Sequence, residues 1–224
     1  MDLKLKKLID DNKHNFSKWD KIRFDYLKHT SENLILSYDK NNIIVQQFTS
    51  ILCNFLKIFS KFGRFKDNWS DPMYSLTIGI TAEIESEKTG CKYELYSGSE
   101  GFYLQSSLIY NDNLKKMNDE FWESVLKLAN YGKFEFIENN LLSTKKSDQY
   151  KQFFRFDHSN LFNLLRNYIL LDINNESSID FGFLSIKWGK NISIEQLLIN
   201  GCQAFKSLYK IDYLLYKANG SKLF

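Results

Sequence analysis

Tyr74-Ser75-Leu76-Thr77-Ile78-Gly79-Ile80-Thr81-Ala82-Glu83-Ile84-Glu85 alternates apolar and polar side chains almost without a break. A helix repeats every 3.6 residues and cannot keep such a row on one side, whereas a strand repeats every 2. The stretch therefore predicts one long strand, with Tyr74, Leu76, Ile78, Ile80, Ala82 and Ile84 facing a core and the other set facing water. Glu87-Lys88-Thr89-Gly90 turns it back into Cys91 to Ser97, and Gly98-Ser99-Glu100-Gly101 turns again into Phe102 to Tyr110. The expectation is a three-stranded antiparallel meander with one wet face.

A second strand signal lies near the C-terminus, in Ile179-Asp180-Phe181-Gly182-Phe183-Leu184-Ser185-Ile186-Lys187-Trp188. It has apolar groups on both faces, as an interior strand does, and it joins the meander most economically as a fourth strand. Gly189-Lys190-Asn191 breaks it. Ser193 then caps a long helix whose stripe is Ile194, Leu197, Leu198, Gly201, Ala204, Phe205, Leu208, Ile211, Asp212 and Leu215.

The remaining segments read as helical. Residues 1–14 are charged without a stable stripe and form a frayed end or a short helix. Phe16, Trp19, Ile22, Arg23, Tyr26 and Leu27 share one helix face. A helix over 42–62 carries Ile44, Phe48, Ile51, Leu52, Phe55, Ile58, Phe59 and Phe62, with Gly63 as a left-handed stop. Leu114, Met117, Phe121, Val125 and Leu128 make another that ends at Gly132, with a shorter piece over 133–142 among these helices. Residues 143–152 are a polar loop, and Ser159 caps a helix through Ile169. The order argues for one α+β domain over 1–224, with helices packed on one face of a small, mainly antiparallel sheet and 1–63 as a candidate helical lobe.

Composition narrows the partners. A chain of 224 residues buries roughly 70% of the surface its unfolded form exposes, enough for a core without staples. Aromatic residues make up 16% of it, more than a core of this size requires, which points to a contact surface. A net charge of +3 is too small to steer nucleic acid. Three widely separated cysteines fit reduced thiols. The charged start lacks the apolar run of a signal peptide, and Gln46, Gln47, Asn54 and Lys57 interrupt the most apolar window, Ile43 to Phe62, so that it reads as a buried helix. The expected setting is the cytoplasm, with neither nucleic acid nor membrane as partner.

No segment carries a catalytic signature. His14, His29 and His158 lie far apart without ligand spacing, and His158 beside Arg155 and Asp157 is adjacent in sequence only. Ser97 to Gly101 lacks the lysine and the following helix of a phosphate loop. Glu83, Glu85 and Glu87 fall on one strand face at steps of about 7 Å, as in an acidic recognition stripe or, alternatively, the carboxylates of a metal-dependent hydrolase or nuclease. The candidate partner-binding surface is the polar side and turns of the meander: Thr81, Glu83, Glu85, Glu87, Lys92 and Glu94, with Tyr93 and Tyr96 as exposed aromatic anchors. No cofactor is expected. A third reading is an accessory subunit of a larger assembly.

Ile179-Asp180-Phe181-Gly182, Ile186-Lys187-Trp188 and Ala204-Phe205-Lys206-Ser207-Leu208-Tyr209-Lys210-Ile211-Asp212-Tyr213-Leu214-Leu215-Tyr216 resemble the ends of bacterial immunity proteins encoded beside polymorphic or contact-dependent growth-inhibition toxins. The resemblance implies a non-catalytic cytoplasmic inhibitor that binds one cognate toxin domain. Inhibitors of basic nuclease toxins tend to be acidic, which speeds their association, and this chain is slightly basic. A nuclease partner would need a local negative patch from Glu83, Glu85, Glu87 and Glu94.

Overall fold

The computed structural model describes residues 3–32, 40–63, 65–77, 79–98, 101–138 and 182–220. Three helices open the chain: α1 (Leu3–Asn12), α2 (Trp19–Glu32) and α3 (Ile43–Phe62). Strands β1 (Met73–Thr77), β2 (Gly79–Glu85), β3 (Lys92–Gly98) and β4 (Gly101–Ser107) follow. Then come α4 (Asp119–Lys127), β5 (Lys133–Glu138), β6 (Gly182–Gly189) and α5 (Ile194–Gly220). The fold is α+β, with a six-stranded antiparallel open sheet in the order β1-β2-β3-β4-β6-β5. In this order β6 lies between β4 and β5, the fifth of six strands.

Two sequence expectations are corrected here. The long strand over 73–85 is two strands folded on each other, with Thr77 paired to Gly79 and Tyr74 to Ala82. Gly79 has φ +122, and a Cβ there would sit 2.8 Å from the Tyr96 ring and 2.9 Å from the Ser97 carbonyl oxygen, so only glycine allows the reversal. The alternation survives because the register keeps Leu76 opposite Ile80 on the same face. The second correction is β5. Lys133-Phe134-Glu135-Phe136 has period 2, and Phe136 is buried while Lys133 is exposed. The expected loop over 143–152, the helix from Ser159, His158 with its neighbours, and Ile179 to Phe181 lie outside the described residues.

By contacts the chain separates into two compact units, Met1–Leu104 with Lys187–Lys206, and Gln105–Ile186 with Ser207–Phe224. Residues 1–63 belong to the first, together with β1, β2 and β3. Its core is aromatic. Tyr26 stacks on Phe48 at 4.4 Å, Phe16 meets Phe55 at 4.7 Å, and Tyr93 meets Phe205 at 4.7 Å between ring centroids. Helix α3 packs on β2 and is capped by Asn42, whose Oδ1 accepts from Ile44 N at 2.9 Å and Val45 N at 3.4 Å. It is the one described helix long and apolar enough to cross a membrane, and its stripe (Val45, Phe48, Leu52, Phe55, Phe59) is core. Gly63 ends it in the right-handed region, with φ −69, not the left-handed one expected. The Phe65 ring lies over it, 1.9 Å from where a Cβ would stand, so any other residue there must push the ring aside.

In the second unit, the single helix expected over 113–132 is three pieces: a 3-10 turn Asn111–Lys116, α4, and a 3-10 turn Leu128–Asn130. Asn118, in extended conformation, interrupts them and accepts from Phe121 N at 3.4 Å. The end of α5 is tied down by this segment. Asn113 Nδ2 donates to the Leu215 carbonyl at 3.1 Å, and Lys210 Nζ lies 2.9 Å from Glu120 Oε1.

Candidate functional site

The β2–β3 hairpin presents a built surface on the side away from α3. Along β2, Ile80, Ala82 and Ile84 are buried while Thr81, Glu83 and Glu85 are half-buried; β3 buries Tyr93, Leu95 and Ser97 and leaves Lys92, Glu94 and Tyr96 outside. Antiparallel pairing sets Thr81 opposite Tyr96, Glu83 opposite Glu94, and Glu85 opposite Lys92. Two carboxylates facing each other directly repel. Lys92 relieves this diagonally, with its Nζ 2.9 Å from Glu83 Oε1. Its pKa is raised above the ordinary lysine value, first by that hydrogen bond, then by the charge of Glu83, with Glu85 and Glu94 adding to it. Three carboxylates around one ammonium leave this patch net negative in a chain of positive net charge.

Of the eight residues expected to bind a partner, six share this face: Thr81, Glu83, Glu85, Lys92, Glu94 and Tyr96. Tyr93 does not. It is 0% exposed and packed on Trp69 and Phe205, because residues 93 and 96 differ by an odd number and a strand sends them to opposite faces. Glu87 also leaves the row. The strand ends at Glu85, and the following turn is fastened from outside: Ser86 Oγ donates to Asp67 Oδ2 at 2.5 Å, Lys88 N to Asp67 Oδ1 at 3.1 Å, and Glu87 N to the Asn68 carbonyl at 3.0 Å. Glu87 borders an open polar hollow of about 330 Å³ with Lys66, Asn68 and Lys88.

Two members of the face were missed by sequence reasoning. Tyr103 on β4 meets Tyr96 at 5.6 Å, and Lys187 on β6 holds its Nζ 4.9 Å from the Tyr103 ring centroid. The signal was present: folding Phe102 onward back through the Gly98 to Gly101 turn brings Tyr103 opposite Tyr96, and Lys187 is the one charged residue between Gly182 and Trp188. The row Thr81, Tyr96, Tyr103, Lys187 thus crosses four strands beside the acidic patch.

Among the described residues no group of three or more His, Cys, Asp or Glu is arranged to hold a metal ion. His14 is exposed between α1 and α2. No disulfide joins Cys53, Cys91 and Cys202. Burial pushes the Cys53 and Cys202 thiols up, the wrong direction for a nucleophile. A cavity of about 360 Å³ has Ile9, Phe16 and Leu198 on its floor and Lys6, Asp10 and Glu195 at its rim. Comparison with known protein families, with curated proteins and with solved structures returned no match.

Proposed function

We propose that the chain is a protein-binding module that acts as a cytoplasmic immunity protein, neutralising a cognate toxin by covering it with the outer face of the β2–β3–β4 meander. The observation that carries this reading is the face itself: an acidic patch of Glu83, Glu85 and Glu94 around Lys92, flanked by the half-buried rings of Tyr96 and Tyr103. Tyrosine supplies a large contact area at low entropic cost, and a charged rim sets orientation and association rate. The local negative charge answers the departure noted in the sequence, because it offers a basic toxin domain a complementary surface although the whole chain carries +3. The resemblance of the C-terminal segment to immunity proteins points to the same class of partner.

The test starts with tagged protein recovered from its source cells and identification of a stoichiometric partner. Calorimetry with that purified partner then compares the wild type with Glu83→Lys/Glu85→Lys and with Tyr96→Ala. The expected loss for either variant is at least tenfold in Kd, about 1.4 kcal/mol or more, with the fold intact by circular dichroism. Unchanged affinity in both variants would exclude this face.

A further inference from the structure

The two ends of the sheet are defended very differently. At one end β5 carries Lys133 and Glu135, joined by a salt bridge at 2.8 Å, as is usual for an edge that must not recruit another strand. At the other end β1 reads Met73-Tyr74-Ser75-Leu76-Thr77, and the chain holds no charged residue from Pro72 to Ala82. Among the described strands β1 pairs on one side only, with β2. Met73 is 61% exposed and Tyr74 40% exposed, and Ser75 is exposed as well. Neighbouring side chains point to opposite faces, so both sides of this edge offer apolar contact.

We infer that β1 is a self-association edge, pairing antiparallel with β1 of a second copy so that two sheets join into one. An isologous contact must present one patch to itself, and a charged strand would set like charges against each other. This strand has none to oppose. With Ser75 on the two-fold axis, Tyr74 falls opposite Leu76 of the second copy, an aromatic–aliphatic pair on the core side of the sheet, and Met73 falls opposite Thr77. The nearest charge before the strand, Asp71, runs past Thr77, where β1 of the second copy ends, and so does not oppose its own equivalent. A strand is the occupant that open backbone N–H and C=O groups specify. The contact lies beside the proposed toxin-binding face and does not depend on it.

Sedimentation of the purified full chain over roughly 1–200 µM reads the association directly. The wild type is expected to shift from monomer to dimer, and Ser75→Lys, which sets two ammonium groups together on the axis, is expected to weaken the dimer at least roughly fivefold. Ser75→Glu is expected to do the same. An equimolar mixture of the two is expected to restore dimer as a mixed species, which a folding defect would not produce; thermal melts confirm that each variant is folded. A wild type that stays monomeric throughout, or variants whose mixture associates no better than either alone, overturns the inference.

Discussion

The β2–β3 hairpin and β6 are strands of one sheet built to opposite specifications. In the hairpin, burial alternates residue by residue, and the outward positions from Thr81 to Glu85 and from Lys92 to Tyr96 carry polar or aromatic groups paired across the ladder. In β6, Leu184, Ser185 and Ile186 are all 0% exposed. A strand wet on one side writes its register and its surface into its sequence, because a slip of one residue would turn every carboxylate inward. A strand covered on both sides records only that it is buried. Substitutions should therefore be costly along β6 and inexpensive along the outer row of the hairpin.

The largest effect is expected from Ile186→Ala, which leaves a cavity in a fully covered strand and should cost about 4 kcal/mol in urea unfolding. Glycines sharpen the contrast. Gly101 has φ +141, and a Cβ there would lie 1.9 Å from the Trp188 carbonyl oxygen on β6; Gly90, in the hairpin turn with φ +69, has open space around it. Gly101→Ala should cost about 3 kcal/mol and Gly90→Ala about 1 kcal/mol. Equal costs would mean that backbone strain alone, and not the close approach of β6, governs both sites.

Serines should break the trend. Ser86, 0% exposed beside the hairpin turn, donates to Asp67, and its Oγ accepts from Thr89 N at 3.0 Å and Thr89 Oγ1 at 2.8 Å. Ser86→Ala abandons those groups in the interior and should cost about 2 kcal/mol. Ser185 on β6 is equally buried, yet its hydroxyl has no hydrogen-bond partner among the described residues. Ser185→Ala should be neutral within about 0.5 kcal/mol or stabilising, since it removes an unsatisfied group without opening a cavity. A large loss at Ser185 would reveal a partner for it.

The legible parts of the molecule follow the same division. The alternation of Ile80 to Glu85 exposed both the strand and three members of the candidate face, Thr81, Glu83 and Glu85. It concealed the reversal at Gly79, because the register returns even-numbered residues to the core and the pattern runs through the turn unbroken. Tyr93 was misplaced by neglect of that same parity. Gly63 was identified as a stop, but its role is to admit the Phe65 ring, and no local pattern encodes a contact of that kind. In β5 the period of 2 spans too few residues to compete with the helices around it. Tyr103 lay within reach of the local turn at Gly98 to Gly101, whereas placing Lys187 beside it needed the strand order, which rests on long-range pairing rather than on any stretch of sequence.

The smallest effect concerns Lys92, and it asks whether the outer row is structural at all. Its pKa is raised in the folded state by the hydrogen bond to Glu83 and by the carboxylates around it, so folding favours the cation. That contribution is fully present below the ordinary lysine value of 10.5 and is lost as pH rises through the higher folded value. Lys92 is half exposed, with 50% of its side chain accessible, so solvent screening keeps the contribution below about 0.5 kcal/mol. The wild type should therefore lose slightly more stability than Glu83→Gln on titration to alkaline pH, and about 1 M salt should flatten the difference. Identical alkaline slopes would mean that the Glu83–Lys92 pair does nothing for the fold.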